Sequence, residues 1–133
     1  VIVGFRVIYS TDIKMTPINE IAQQCCEPNL PQEIYEAFLK KRAFLFVRDR
    51  VGWVLKPFIE NDISGVLVWV AWSEKQGGLD EYTPLVKELA RNIDARFLRF
   101  HTVRKGFLKV GKRYGWMFVG NDDDGFMIFE MRL

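Results

Sequence analysis

The sequence predicts an α/β protein: a central mixed sheet with helices on both faces, in the order β-α-α-β-β-β-α-β-α-β-β. Three observations carry this. The run Val66-Leu67-Val68-Trp69-Val70-Ala71-Trp72 has no polar face, so both of its sides must be covered, which puts it in the middle of a sheet between helices. A Gly-containing loop and an amphipathic helix follow it and lead to another strand, Arg96 to His101; such a unit joins two parallel strands by a right-handed crossover. Strand-period and helix-period segments alternate through the rest of the chain with no linker, repeat or low-complexity stretch between them. At 133 residues the chain is expected to be one domain, residues 1–133, large enough to bury about two thirds of its unfolded surface.

Each element has a local reason. Val3 to Tyr9 alternates around Phe5, Val7 and Tyr9 and reads as the first strand. Thr16 followed by Pro17 is a helix start, and Ile18, Ile21, Ala22 and Cys25 form one apolar stripe. Pro28 ends that helix. A second begins near Asn29, a cap with Gln32 three residues on, turns Ile34, Tyr35, Phe38 and Leu39 inward, and ends in the cations Lys40-Lys41-Arg42. Ala43–Val47 and Val51–Ile59 are two strands joined by a tight turn at Asp49-Arg50, with Pro57 marking a bend or a local edge. Asn61-Asp62 turns the chain into the apolar strand, Val66–Trp72. Thr83-Pro84 then opens a helix with Leu85, Leu89 and Ile93 on one side. After Arg96–His101, a basic helix carries Val103, Phe107, Val110 and Tyr114 on its core side and Lys105, Lys109 and Lys112 opposite. Trp116–Val119 and Phe126–Met131 close the chain as a hairpin.

Composition excludes several classes. The longest apolar run is far short of the roughly 20 residues that span a bilayer, and the first residues lack a signal-peptide pattern, so no membrane partner is expected. Cys25 and Cys26 are adjacent and are the only cysteines; neighbouring residues are poorly placed to bridge, so a reducing cytoplasm is the natural setting. With one histidine beside them, no metal site is expected. The net charge is +2, with a basic excess between Arg91 and Arg113. The plain reading of that run is a solvated helix face; the local excess could also attract a phosphate-bearing ligand, and nucleic-acid contact through Arg99, Arg104, Lys105, Lys109 and Lys112 is the weaker alternative. Asn121-Asp122-Asp123-Asp124-Gly125 lacks the calcium-loop spacing, because Gly120 stands where an acid is required, and it reads as a solvated hairpin tip.

The element order resembles the GNAT superfamily of acyl-CoA-dependent N-acetyltransferases across nearly the whole chain. Arg96-Phe97-Leu98-Arg99-Phe100-His101-Thr102-Val103-Arg104-Lys105-Gly106-Phe107, followed by Tyr114-Gly115-Trp116, resembles in particular the small GNAT-like proteins of tailed bacteriophages. The resemblance implies that the fourth and fifth strands splay around the pantetheine arm of acetyl-CoA or another acyl-CoA. Val70, Ala71 and Trp72 would then border the gap, with Gln76, Gly77 and Gly78 in the pyrophosphate loop and Arg104 at a position the family fills with asparagine. The chain departs from the family pattern in that loop: Glu74 takes the basic position and Leu79 the second glycine, with Asp80 and Glu81 where a diphosphate arrives. Two carboxylates there oppose an anion, so acetyl-CoA is expected to bind more weakly than roughly 100 µM.

Thioester aminolysis needs a base for the amine and an acid for the thiolate. His101, the single histidine, lies at the carboxyl end of the fifth strand, where parallel-sheet sites form, and histidine titrates near neutrality. Glu60, at the end of the third strand, is the weaker base candidate. The family's tyrosine position holds Gly111, which leaves Tyr114 as the candidate acid although its helical phase points it to the core. The resemblance thus implies an N-acyltransferase acting on a small-molecule or protein amine in the cytoplasm. The alternative is a non-catalytic phage protein of this fold with a structural, virion-associated or host-binding role, located in the host cytoplasm or the virion.

Overall fold

The computed structural model describes residues 6–8, 19, 22–23, 27–48, 51–73 and 78–133, with side chains for all of these except 6–8, 48, 73, 78–82 and 110. Among the described residues seven strands form one sheet: β1 (Arg6–Ile8), β2 (Phe44–Arg48), β3 (Val51–Glu60), β4 (Ile63–Ser73), β5 (Phe97–Thr102), β6 (Met117–Asn121) and β7 (Met127–Arg132). Their order is β1-β2-β3-β4-β5-β7-β6. All neighbours are antiparallel except β4 and β5, which run parallel, joined by the crossover helix α2 (Gly78–Asn92). Helix α1 (Leu30–Leu39) precedes β2 and helix α3 (Phe107–Arg113) follows β5.

The two faces have separate cores. On one, α1 sets Ile34, Ala37 and Phe38 against Leu45, Val54 and Val70, with Trp69 and Trp72 alongside. On the other, Val86 and Ala90 of α2 meet Trp53, Leu55, Val66, Leu98 and Met131. An aromatic group continues this second layer under α3. Phe100 stacks on Phe129 with ring centroids 5.2 Å apart and meets Trp116 and Phe107 edge-on.

Several local expectations need correction. The α1 stripe is Ile34, Ala37 and Phe38, at i, i+3 and i+4; Tyr35 and Leu39 are exposed. Asn29 occupies the N-cap with helical dihedrals and no side-chain cap bond, and Gln32 Nε2 donates to Glu36 Oε1 instead of closing a capping box. Helix α2 begins at Gly78, so Pro84 lies inside it. The ring is on the exposed side, where one missing backbone donor is offset by the burial of Val86 and Ala90. The fully buried residues of α2 are Val86 and Ala90; Leu85 and Leu89 pack against the same core, as expected, whereas Ile93 is exposed. Helix α3 is shorter than expected, and both Val103 and Tyr114 stand about half exposed at its ends. The helix preceding Pro28 is described only at Asn19, Ala22 and Gln23, which are helical; Cys25, Cys26 and the Asp49-Arg50 turn lie outside the described residues.

Helices α1, α2 and α3 end in the same way. The residue three beyond the last helical one donates back to the carbonyl of the third-last helical residue: Arg42 to Ala37, Ala95 to Ala90 and Trp116 to Gly111. In each the intervening residue has positive φ: Lys41, Asp94 and Gly115. This Schellman closure explains the Gly115-Trp116 couplet, since the left-handed position suits glycine and the next residue returns an apolar side chain to the helix.

Candidate functional site

The β4–β5 pair opens along its length. Pairing runs through Gly65↔Phe97, Val66↔Leu98 and Leu67↔Arg99 and then stops. Beyond it, β4 continues to Ser73 along β3, and β5 continues to Thr102 along β7, so the facing edges of the two strands separate. A bulge sits at the same level: Val54 pairs with Val70 but Leu55 with Val68, which leaves Trp69 as the extra residue. Because strand side chains alternate, one inserted residue reverses the faces after it. Val66 and Val68 pack on the α2 side, whereas Trp69, Val70 and Trp72 pack on the α1 side.

That reversal decides where the side chains of Val70, Ala71 and Trp72 lie. Val70 is buried in the α1 core, Ala71 packs toward α2, and the Trp72 indole lies against Gly52 of β3, where even a Cβ would overlap it. Their backbones, not their side chains, border the gap. Gly78 is the first residue of α2, and the first amides of any helix lack partners within it. Gln76 and Gly77 lie outside the described residues.

On the α1 side of the sheet, beyond the reach of α1 itself, an open cleft of about 170 Å³ is lined by Lys56, Phe58, Leu67, Arg99 and His101. Its base is a strap. Arg99 Nη2 donates to Glu60 Oε2 at 2.5 Å and contacts Glu130 Oε2 at 2.6 Å, and Nε donates to the same Glu130 oxygen at 2.8 Å. The guanidinium lies over Phe58 and Phe97, 5.0 and 5.3 Å from their ring centres. Those rings meet edge to face above Gly65. The strap joins β3, β5 and β7 across β4 at the level where β4 and β5 are still paired.

The strap redefines Glu60. Its hydrogen bond from Arg99 and the charge of that guanidinium hold its carboxyl below the ordinary value, against a small opposing effect of burial. A carboxylate so held is a weak proton acceptor and a good anchor. Burial alone would lower Arg99, but its bonds to Glu60 and Glu130 raise it above its usual range.

His101 sits two residues along the same face of β5, at the mouth of the cleft. Its Nδ1 is 2.7 Å from Asp122 Oδ2. Asp122 Oδ1 accepts from the backbone N–H groups of Asp124 and Phe126, each at 2.9 Å. Burial pushes the Asp122 carboxyl up, but the bonds from His101, Phe126 and Asp124 outweigh it and leave the group below the usual carboxylate value. The turn expected to be a solvated tip thus carries a side chain committed to the cleft. The acidic run itself gave no sign of this; the clue lies in pairing, since His101↔Ile128 brings the β6–β7 tip beside the end of β5.

Two other candidates fall elsewhere. Tyr114 caps α3, whose Phe107 packs on Phe100 and Phe129, residues on the opposite face of the sheet from His101. Gly111, at the family's tyrosine position, is buried with its Cβ direction 3.3 Å from Trp116 Cβ and 3.6 Å from the Phe129 ring, so a large side chain there would force α3 off the sheet. Arg104 is exposed in the β5–α3 loop, and its N–H donates to Thr102 Oγ1. Lys105, Lys109 and Lys112 are exposed, as the helical phase requires. The described residues hold no cluster of His, Cys, Asp and Glu arranged for a metal, and none of their helices is long and apolar enough to cross a membrane.

No protein-family profile matches the chain, and no curated protein sequence matches it. Solved structures do. A GNAT-family acetyltransferase from Listeria monocytogenes superposes with a TM-score of 0.65 at 11% identity, covering 97% of this chain and 95% of its own. A GNAT-family acetyltransferase from Elizabethkingia anophelis with acetyl-CoA bound gives 0.62 at 12% identity, covering 99% and 100%. Naa50 of Arabidopsis thaliana, in complex with the bisubstrate analogue CoA-Ac-MVNAL, gives 0.64 at 9% identity, covering 98% and 100%. The chain has the fold of GNAT acetyltransferases.

Proposed function

We propose that this protein is an acyl-CoA-dependent N-acyltransferase that acts on an amine acceptor in the cleft of Phe58, Leu67, Arg99 and His101. The observation that carries the reading is the loss of β4–β5 pairing after Leu67↔Arg99, with the imidazole of His101 at the mouth of the opening. The backbone of Val70–Trp72 and the first turn of α2, from Gly78, fit an extended amide-bearing arm ending in phosphates, because both present unpaired backbone groups. Arg104, in the loop after β5, is the side chain suited to a phosphate of the same ligand. When bound, acyl-CoA supplies an activated acyl carbonyl and a thiol leaving group.

The acceptor amine arrives as an ammonium ion and must lose a proton before it can act as a nucleophile. His101 takes that proton at Nε2 and releases it to solvent. Glu60 holds Arg99 in the strap, and no role in proton transfer falls to it. Tyr114 is too far round the sheet to serve as the acid, and the leaving thiolate takes its proton from solvent.

Titration calorimetry with acetyl-CoA, together with mass detection of acylated product over a panel of small amines and peptides, tests this. Saturable binding weaker than about 100 µM, near −5.5 kcal/mol, is expected, with turnover that falls roughly 10²–10⁴-fold in His101→Gln at unchanged acetyl-CoA affinity. Absence of binding at millimolar ligand and of any product overturns it. That result would favour the second reading, a non-catalytic protein of this fold, phage-encoded and serving in the virion or on a host protein. The carboxylates that the sequence places in the β4–α2 loop, Glu74, Asp80 and Glu81, are what favour that alternative.

A further inference from the structure

We propose that Asp122 is the positioning residue of the base: it fixes His101 as the tautomer whose Nε2 lone pair is free to accept the acceptor's proton. The inference rests on the acyltransferase reading for its chemistry, but its geometry stands independently. A carboxylate below its usual pKa is ionised at neutral pH and can only accept hydrogen bonds. The 2.7 Å contact therefore assigns the ring proton to Nδ1 and leaves Nε2 bare. The carboxylate is itself immobilised, since Oδ1 holds the amides of Asp124 and Phe126, and the carbonyl of Phe126 accepts from Asp122 N–H at 2.8 Å.

The two carboxylate oxygens of Asp122 thus act separately, Oδ1 closing the hairpin tip and Oδ2 orienting the ring. The tip is anchored to β5 by the pairs His101↔Ile128 and Thr102↔Met127, so the distance between carboxylate and imidazole is set by sheet register. Other charged groups around His101 are Arg99 on β5, bound by Glu130 of β7 and Glu60 of β3, Lys56 on β3 across the cleft, and Asp123 and Asp124 in the tip itself. Among the described residues only Asp122 forms an ion-pair contact with the ring.

The single histidine makes the test direct. In uniformly ¹⁵N-labelled protein above the pH where the ring is neutral, the two ring-nitrogen shifts report the tautomer without assignment by mutation. Wild type is expected to show a protonated Nδ1 and a bare Nε2. Asp122→Asn keeps an oxygen for the two tip amides but turns an NH₂ toward the ring, so Nδ1 must accept and the proton moves to Nε2. The ratio of tautomers should invert, and turnover should fall about 10²-fold or more, with little change in KM and in acetyl-CoA affinity. Asp122→Ser, which can still cap the tip but does not reach the ring, should give an intermediate tautomer mixture with a retained fold. A wild-type ring protonated at Nε2, or a ratio unmoved by either substitution, overturns the proposal whatever the enzyme does. The expected tautomers in wild type with no turnover on any amine would instead overturn the acyltransferase reading and leave the His101–Asp122 geometry standing.

Discussion

Replacing Gly65 by alanine tests how the closed end of the β4–β5 wedge is built. A Cβ at this position would lie 2.7 Å from Phe97 Cζ and 2.9 Å from Phe58 Cζ, below any tolerable carbon–carbon contact. Both rings belong to one edge-to-face pair, 5.4 Å between centroids and 82° between planes, and Arg99 lies on both, so neither can move without disturbing the strap. Overpacking of this kind costs about 1–3 kcal/mol, and a disrupted aromatic pair adds about 0.5–1.5 kcal/mol. The backbone of Gly65 is not in the left-handed region, so alanine recovers about 0.5–1 kcal/mol of strand preference. The net expectation is a loss of about 2 kcal/mol, seen in urea denaturation as a lower midpoint at unchanged slope. The melting temperature should fall by roughly 6–8 °C for a domain of this size. A cycle with Phe97→Leu sharpens the test: the smaller side chain makes room, so the two changes should couple by at least about 1 kcal/mol. A loss under about 0.5 kcal/mol for Gly65→Ala, or strict additivity in the cycle, would refute the packing described at this end of the sheet.

Three further outcomes follow from other parts of the molecule. Lys41 is a non-glycine residue in the left-handed position of the α1 closure, so Lys41→Gly should raise stability by about 0.5–1 kcal/mol in urea denaturation. Glu60 has a folded pKa below its ordinary value of 4.5; its contribution is present above that value and lost as pH falls through the folded one. Midpoints measured from pH 6 downward should therefore drop more steeply in wild type than in Arg99→Gln, and parallel curves would deny the strap. Replacing Lys105, Lys109 and Lys112 together by glutamine should change stability by no more than about 0.5 kcal/mol per site; a larger loss, by the same denaturation, would show that this face is packed.

The fold was legible where a segment's surroundings follow from its own chemistry. Val66–Trp72 could only be a central strand, the crossover to β5 had one allowed hand, and Asn61-Asp62, both with positive φ, could turn β3 into β4 in two residues. Pro57 signals a local edge, and it lies beyond the end of β2, whose last partner on β3 is Leu55. Helix starts were less legible. Thr83-Pro84 is a sound opening by local rules, yet the helix begins at Gly78 and carries Pro84 on its exposed side. The α1 stripe shows the same limit: periodicity alone favours the larger Tyr35 and Leu39 over Ala37, whereas close approach of helix to sheet favours the small residue.

The site depended on information that no local pattern holds. His101 stands out in the sequence because it ends a parallel strand, a topological position that element order reveals. Asp122 and Arg99 do not, because their meaning lies in strand pairing at long separation. The insertion of β7 between β5 and β6 brings Glu130 opposite Arg99 and the hairpin tip beside His101. That insertion also explains why a run of acids can be structural at Asp122 and solvated at its neighbours: only the residue at the base of the tip meets the end of β5. The same sheet register that keeps β4 and β5 paired at Arg99 and lets them part beyond it therefore sets the distance between the His101 imidazole and the Asp122 carboxylate. Register, more than any single motif, is the property on which a working site here depends.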